Sequence, residues 1–256
     1  LVDRIWIATN LVGKHVHGAR LCDVATVRLN GSRIGSVLAD AFAVRTSTAT
    51  QSSPHAQHGH ALFIGLERDV TVRTAAGIVR GRVVLVPAET PNEVVSPGAT
   101  IGICYDPERS PIAATTPHAL DDRLVAIAQP ARDHLADPTA LCDVARELHR
   151  RVGTAPRPLD RRVARALEIL RTPRIDHRGE LARIAISRAH LRALFARDIG
   201  TAIPTYARWR RLLDALAAFG SGDATAAAHA AGFADLSHFS RTCRRMLGYA
   251  PTTLRG

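Results

Sequence analysis

The sequence lacks the features that define membrane proteins, disulfide-rich secreted proteins and common metal-binding modules. No apolar run approaches the ~20 residues that a membrane-spanning helix needs, and no basic-then-apolar segment with a small-residue cleavage site opens the chain. Its cysteines show no Cys-x-x-Cys spacing, and a chain of 256 residues does not need disulfide bonds for stability. We therefore expect a cytoplasmic protein that does not enter membranes, with mostly buried thiols at Cys22, Cys104, Cys142 and Cys243. A redox pair formed by two of these thiols is the alternative.

The motifs of conventional catalysis are also missing. No Ser-His-Asp arrangement, Gly-rich phosphate loop or paired-carboxylate motif is recognisable, so we expect no enzyme, no catalytic residue and no cofactor. The hydrophobic content of 46% excludes a largely disordered chain, and the length is enough for two modest domains.

Positive charge is concentrated in the C-terminal part of the chain. Residues 157–256 hold 18 Arg and 8 acidic residues, a net charge of +10, whereas residues 1–156 have a net charge of only +1. A basic segment of this kind binds nucleic acid, membrane surfaces or acidic proteins. The motifs within the segment decide among these partners.

The last basic stretch has the pattern of a helix-turn-helix. Ala228 is a small residue where two helices must touch, Gly232 permits a left-handed turn, and Asp235 can cap the next helix. In that helix Phe239, Cys243, Met246 and Leu247 share one face. The remaining positions of the helix suit contact with bases and phosphates and hold Ser237, His238, Ser240, Arg241, Arg244 and Arg245.

Another helix-turn-helix, motif one, lies earlier in the chain than the one just described, which is motif two. After Pro158, apolar spacing from Val163 to Leu170 predicts a helix that ends before Pro173, and Glu180–Ala185 is predicted as a short positioning helix. Ser187 is the expected N-cap of a reading helix that Gly200 closes. Its inward residues are Leu191, Leu194 and Phe195, and its outward residues are Arg188, Ala189, His190, Arg192 and Ala193. A long helix from Ile203 to Phe219, ended by Gly220–Gly222, would join the two motifs.

These residues resemble the C-terminal signature of the AraC family of bacterial transcription regulators. The matching positions are Gly232-Phe233, Phe239-Ser240-Arg241, Gly248, Pro251 and Arg255, with Leu181-Ala182, Ser187, Leu191, Phe195, Gly200, Tyr206, Arg211-Leu212 and Ala215 upstream. The resemblance implies that both reading helices of one chain enter adjacent major grooves of promoter DNA. It implies base-facing positions at Ala189, Arg192 and Ala193 in motif one, and at Leu236, Ser237, Ser240 and Arg241 in motif two.

Arg192 and Arg241 are the candidates for reading guanine. The alternative for each arginine is a phosphate contact or a solvated helix face.

The N-terminal part is predicted to be β-rich. Short β-branched or apolar runs separated by turn residues indicate an antiparallel β-barrel, with strands at Leu62–Leu66, Val70–Arg73, Arg82–Val86 and Thr100–Tyr105 and less clearly at Ile5–Ala8, Val37–Leu38 and Ala41–Arg45. The order His58-x-His60, Glu67, Gly81, Pro87 and Pro91-Asn92 is similar to the cupin barrel that precedes many AraC-family DNA-binding domains. The expected fold is therefore α+β, with a cupin-like barrel, following helices, and an all-α domain of two helix-turn-helix motifs joined by a long helix.

His58, His60 and Glu67 could supply three metal ligands of a cupin. Asn92 stands where a metal-binding cupin would have its last His, so we expect no functional metal. The histidines then belong either to a polar loop leading into a strand or to a small-molecule pocket. The candidate ligand-binding residues are His58, His60, Glu67, Asn92, Cys104 and Tyr105.

Amphipathic spacing predicts two helices between the domains, one over Leu120–Ala128 and one over Leu141–Val152. They either mediate homodimerisation or cover the open face of the barrel. The expected organisation is a sensory domain at 1–115, linker helices at 116–152, a linker at 153–158 and a DNA-binding domain at 159–256.

The expected partners are double-stranded promoter DNA, RNA polymerase, a small-molecule effector and a second copy of the chain. The alternatives are a cupin-type metal enzyme or sensor carrying a DNA-binding domain, and an N-terminal domain that recognises another protein.

Overall fold

The computed structural model describes residues 25–27, 36–39, 41–172, 176–219 and 223–251. Predictions that concern Ile5–Ala8, Cys22, Pro173, Gly220–Gly222 and Arg255 lie outside these residues. No helix in the described ranges is long and apolar enough to cross a membrane.

Antiparallel pairing builds two sheets from the N-terminal part of the chain. The order in the larger sheet is β1 (Ala25–Val27), β2 (Ser36–Leu38), β3 (Phe42–Ser47), β10 (Thr100–Tyr105), β5 (His60–Gly65), β8 (Val83–Val86) and β11 (His118–Ala119). The order in the smaller sheet is β4 (Thr50–Gln51), β9 (Glu93–Ser96), β6 (Val70–Thr74) and β7 (Gly77–Gly81).

The antiparallel β-rich prediction is confirmed, with one change of architecture. The predicted strand Thr100–Tyr105 is found with those bounds. The described strands form two sheets whose hydrogen bonds do not close into the expected barrel. Val70, Val72 and Val94 of the smaller sheet pack against Ala61, Val84 and Val86 of the larger one. Strand β8 is buried at every position because the larger sheet is covered on both faces.

Helices cover the other face of the larger sheet. The chain passes through 3-10 turns at Asp122–Leu124 and Gln129–His134 on either side of α1 (Val125–Ala128), and then forms α2 (Pro138–Val152). Leu141 and Leu148 of α2 are fully buried against the sheet. The Tyr105 hydroxyl donates to the Ala145 carbonyl at 2.7 Å. These contacts show that the helices cover the sheet, and their other predicted role, homodimerisation, stays a prediction.

The described residues of the C-terminal part form six helices: α3 (Arg161–Arg171), α4 (His177–Ala182), α5 (Arg188–Ile199), α6 (Ile203–Phe219), α7 (Ala224–Ala230) and α8 (Leu236–Leu247). The short positioning helix lies earlier than predicted, at His177–Ala182 instead of Glu180–Ala185. Ile184 and Ile186 pack onto the core of α3 and α5, and the chain around them forms a turn and bends after α4 instead of continuing the helix. The all-α prediction for this part of the chain is confirmed.

Candidate nucleic-acid interface and effector cavity

The first motif exposes the face that the sequence assigned to DNA. The Ser187 hydroxyl accepts a hydrogen bond from the His190 amide at 3.2 Å and caps α5, and Gly200 ends this helix at φ 79°. The inward residues Leu191, Leu194 and Phe195 are buried in the core that α5 shares with α3. The exposed candidates are Ser187, Arg188, Ala189, His190, Arg192 and Ala193.

The second motif has the tight turn that its sequence predicted. Gly232 adopts φ 79°, and the Phe233 amide returns to the Ala228 carbonyl at 2.9 Å. Asp235 accepts from the His238 amide at 2.6 Å and so caps α8. Leu236, Ser237, Arg241, Arg244 and Arg245 are exposed, and His238 and Ser240 are half-buried.

The arginines of both reading faces differ from the arginines beside them. Arg183 and Arg197, which flank the faces, form ion pairs with Glu180 and Asp198. Within the described chain, no carboxylate pairs with Arg188, Arg192, Arg241, Arg244 or Arg245. These exposed cations are therefore available to phosphates and base edges.

Helix α6 is shared by the cores of the two motifs. Its Tyr206 is fully buried in the core around Phe195, and the two rings lie edge to face at 5.6 Å. Its Trp209 and Leu212 belong instead to the core around Phe239. A shift of α6 would therefore move both motifs, because each motif packs on this one helix.

A cavity of about 160 Å³ lies between the larger sheet and the C-terminal helices. The sheet contributes Val44, Ala61, Phe63 and Cys104 to its wall, and α6 and α8 contribute Trp209, Leu213, Leu216, Phe219, Met246 and Leu247. Most of the lining is apolar. Basic groups are supplied by Arg45, whose guanidinium lies 4.1 Å from the centre of the Tyr249 ring, and by His55. Burial lowers the pKa of His55, although its hydrogen bond to the Ser53 carbonyl opposes this shift.

The end of α8 docks on the loop after β4. The Ser53 amide donates to the Gly248 carbonyl at 2.9 Å, and the Ala56 amide donates to the Arg245 carbonyl at 3.2 Å. Gly248 has φ 78°, and a Cβ atom there would lie 2.7 Å from His55 Nδ1. The second reading helix is thus held directly by the N-terminal part of the chain.

Buried charges lie beside the cavity at the same interface. His58 Nδ1 donates to Glu89 Oε1 at 2.9 Å, and His58 Nε2 faces Glu108 Oε1 at 3.6 Å. The His58 ring packs in edge-to-face geometry with Tyr206 and Trp209, with ring centres 5.1 and 6.5 Å apart. Burial on its own would lower the pKa of His58, but Glu108 and Glu89 together raise it above its ordinary value.

Arg171 brings a cation from α3 into this group. Its guanidinium lies 3.4 Å from Asp106 Oδ2 and 3.6 Å from Glu108 Oε1, and its Nε donates to the Tyr206 hydroxyl at 2.9 Å. Burial would raise the pKa of Glu108, but His58 and Arg171 hold it below its ordinary value.

The six residues predicted to bind a ligand do not meet at one place. Cys104 lines the cavity, and Tyr105 points to the opposite face of the sheet, where it contacts α2. The side chain of Glu67 pairs with Arg132. His60 Nδ1 accepts from the Ala88 amide, and the Asn92 amide group donates to the Thr90 carbonyl. His58 is the member of the set that lies in the buried charge group.

Sequence reasoning missed the groups that meet at the interface. Arg45 and His55 of the cavity, and Glu89, Asp106, Glu108 and Arg171 of the charge group, come from separate segments of the chain. Asp106 and Glu108 flank Pro107 in a turn that follows β10, and such turns are common on protein surfaces. The one signal available was the high density of acidic residues at the end of a predicted buried strand.

Comparisons with known proteins agree with this geometry. Residues 181–256 match a family model described as a helix-turn-helix domain. A structure of ToxT from Vibrio cholerae is 10% identical, with a TM-score of 0.53, and the match covers 84% of this chain and 98% of ToxT. A structure of ToxT with a bound unsaturated fatty acid has 9% identity and a TM-score of 0.50, covering 84% of this chain and 95% of ToxT.

The AraC-like transcriptional activator CuxR is 15% identical at a TM-score of 0.31, covering 71% of this chain and 76% of CuxR. No curated protein sequence matches the chain. The likeness to ToxT shows that the chain has the same two-domain fold.

Proposed function

We propose that the chain is a transcription regulator of the AraC type that binds promoter DNA in a sequence-specific way, because residues 181–256 match a helix-turn-helix domain model. The observation that carries this proposal is the pair of capped reading helices, α5 and α8, whose exposed arginines have no carboxylate partner among the described residues. RNA polymerase and a second copy of the chain are the further partners that we expect. We propose no catalytic role.

Arg192 and Arg241 are the proposed base readers, because both lie on exposed positions of the reading faces. An arginine that contacts guanine through two hydrogen bonds discriminates against other bases by about 1–3 kcal/mol. The remaining polar and basic residues of the two reading faces would contact phosphates or set the register of the protein on the duplex. They are Ser187, Arg188, His190, Ser237, His238, Ser240, Arg244 and Arg245. Ala189, Ala193 and Leu236 are suited to apolar contact with thymine methyl groups.

Selection of binding sites from a random duplex library tests this proposal. The full-length chain is expected to enrich two blocks one helical turn, about 34 Å, apart, with one block for each motif. Arg241→Ala should relax one base pair of one block. Arg165→Ala is the matched control, because Arg165 is an exposed arginine of α3 outside both motifs. Equal loss of affinity on selected and scrambled duplexes would show that Arg241 contacts phosphate.

We also propose that the cavity binds an effector with an apolar body and a carboxylate. The apolar walls suit a hydrocarbon chain, and Arg45 is a cation at the wall that could pair with the acid group. ToxT, which shares the fold, has a structure described as bound to an unsaturated fatty acid. Because the cavity is lined by both the larger sheet and helices α6 and α8, an effector there would change how firmly the reading helices are held.

Binding of a fluorescent fatty acid tests the effector proposal. Arg45→Gln should weaken binding by about tenfold or more, since a charge-assisted hydrogen bond contributes about 1.5–3 kcal/mol. Leu213→Trp should abolish binding by filling the cavity. Arg80→Gln is the control, because Arg80 is exposed and pairs with Asp69 away from the cavity. Affinity that is unchanged in both cavity variants would place the fatty acid elsewhere.

A further inference from the structure

The buried charge group contains three side chains with the chemistry of metal ligands. One ligand atom from each of His58, Asp106 and Glu108 lies within 4.8 Å of the other two. Asp106 and Glu108 are held by a turn in which the Arg109 and Ser110 amides both donate to the Asp106 carbonyl, at 3.1 and 2.7 Å. The three groups are therefore fixed in place by β10 and the turn after it, together with the segment before β5.

The ligand atoms of this cluster lack hydrogen-bond partners although they are buried. His58 Nε2, Asp106 Oδ1 and both carboxylate oxygens of Glu108 form no hydrogen bond among the described residues, and Glu108 Oε1 has only ion-pair contacts with His58 and Arg171, both at 3.6 Å. The side chains of His58 and Glu108 are 0% and 2% exposed. Leaving buried polar atoms without hydrogen bonds destabilises the folded state, and more so when the groups are charged. Such atoms pointing at one another indicate a ligand.

The spacing of these atoms suits coordination better than direct hydrogen bonding. His58 Nε2 and Glu108 Oε1 are 3.6 Å apart, which exceeds a normal N–H···O distance. Two ligands bound at about 2.1 Å to a tetrahedral ion are about 3.4 Å apart. A single ion could therefore contact both atoms with little movement of either side chain.

The second nitrogen of His58 is oriented as in many metal sites. Histidines that bind a metal usually donate their other ring N–H to a carboxylate, which fixes the tautomer and the ring orientation. His58 Nδ1 donates to Glu89 Oε1 at 2.9 Å in this way. The other ring nitrogen, Nε2, faces Glu108 Oε1 at 3.6 Å.

We propose that His58, Asp106 and Glu108 bind a divalent transition metal of the Zn²⁺ type at the domain interface. One imidazole and two carboxylates suit Zn²⁺, Fe²⁺ or Mn²⁺. The site differs from the cupin-like set of His58, His60 and Glu67 that the sequence suggested, because Glu67 is paired with Arg132.

Arg171 gives the site a regulatory consequence. Its guanidinium neutralises Asp106 and Glu108 from α3, so a metal ion and Arg171 compete for the same carboxylates. Occupation would weaken the contact between α3 and the sheet domain. The effect on DNA binding rests on the proposed function, whereas metal binding itself does not depend on it.

Metal affinity of the tag-free, full-length chain tests the site. Zn²⁺ is titrated in competition with a chromophoric chelator, and Co²⁺ is used to report coordination through its visible absorption. The wild-type chain should bind one Zn²⁺ that Glu108→Gln weakens by about 100-fold or more, with loss of the Co²⁺ absorption. Asp69→Asn, which changes an exposed carboxylate, should retain both the Zn²⁺ affinity and the Co²⁺ absorption of the wild-type chain. Metal bound elsewhere on the chain would be retained in Glu108→Gln and is thus distinguished.

A second variant should change the Zn²⁺ affinity in the opposite direction. Arg171→Gln removes a competing positive charge and should tighten Zn²⁺ binding by about tenfold. If Glu108→Gln does not fold, as judged by its thermal melt, Asp106→Asn replaces it. Zn²⁺ affinity unchanged in the foldable carboxylate variant, or unchanged in Arg171→Gln, would overturn the proposal. DNA selection by the metal-free chain is a separate readout, so failure of the metal site leaves the DNA-binding proposal standing.

Discussion

The contact between Gly248 and the loop after β4 can be tested with two matched glycine variants. Gly200 and Gly248 both end a reading helix in the left-handed conformation, at φ 79° and 78°. A Cβ atom at Gly200 would have no neighbour within 4 Å, whereas one at Gly248 would lie 2.7 Å from His55 Nδ1 and Ser52 Cβ and 2.8 Å from the Ser53 carbonyl oxygen. Alanine at the two sites therefore costs the same backbone strain, and only Gly248→Ala disturbs the docking.

The expected magnitudes follow from this difference. Placing alanine in the left-handed region costs about 1–2 kcal/mol at either site. Overpacking at Gly248 adds about 1–3 kcal/mol, because one of the close neighbours is a backbone oxygen that cannot rotate away. The chain can avoid this additional cost by releasing the end of α8 from the loop. We therefore expect Gly248→Ala to open the interface and Gly200→Ala to leave it closed.

Amide hydrogen exchange measures that opening directly. The Ser53 and Ala56 amides donate to the Gly248 and Arg245 carbonyls across the interface, so their exchange should accelerate in Gly248→Ala by about tenfold or more for each 1.4 kcal/mol of lost docking. Exchange at Leu62, in the centre of the sheet, should change in neither variant. Equal protection of Ser53 and Ala56 in both variants would refute the docking argument.

Three further predictions concern a buried core residue, a helix N-cap and the buried thiols. Phe239→Ala should lower the free energy of unfolding of the C-terminal part by about 3–5 kcal/mol in a urea titration, because Phe239 is fully buried. Ile78→Ala is the control and should not lower it measurably, because Ile78 is 68% exposed. Asp235→Ala removes the N-cap of α8 and should cost about 1 kcal/mol, measured by thermal unfolding monitored by circular dichroism. Burial raises the pKa values of Cys104 and Cys243 to about 12, so both thiols should be alkylated far more slowly in the folded chain at pH 8 than in urea, and rapid labelling of the folded chain would contradict their burial.

The helical part of the fold was predictable because its signals are local. Ser187 and Asp235 cap the helices that they were expected to cap, and Gly200 and Gly248 end them. Each of these positions depends on residues within one helical turn. The short helix α4 was misplaced because tertiary packing of Ile184 decides where the helix ends.

The N-terminal fold and the interface were less predictable because their contacts join distant segments. The bounds of strand β10 were predicted correctly. Strand β7 has a glycine at each end and β9 follows a polar turn, so neither had a recognisable pattern. Arg171 contacts Asp106 across 65 positions of sequence. Sequence periodicity does not indicate a contact between residues so far apart. The sequence of the turn after β10 is typical of an exposed turn, so the burial of its charged residues becomes evident only from the folded structure.

The cavity and the charge group both contact helix α6, and this shared contact determines how their ligands would act. The wall of the cavity includes Leu213 and Leu216 of α6, while His58 of the charge group packs on Tyr206 and Trp209 of the same helix. A molecule that fills the cavity adds contacts between the domains and favours the docked state. A metal ion that takes the carboxylates from Arg171 removes contacts and favours release. Because both equilibria act on one docking step, linkage requires the two ligands to weaken each other's binding by the same factor.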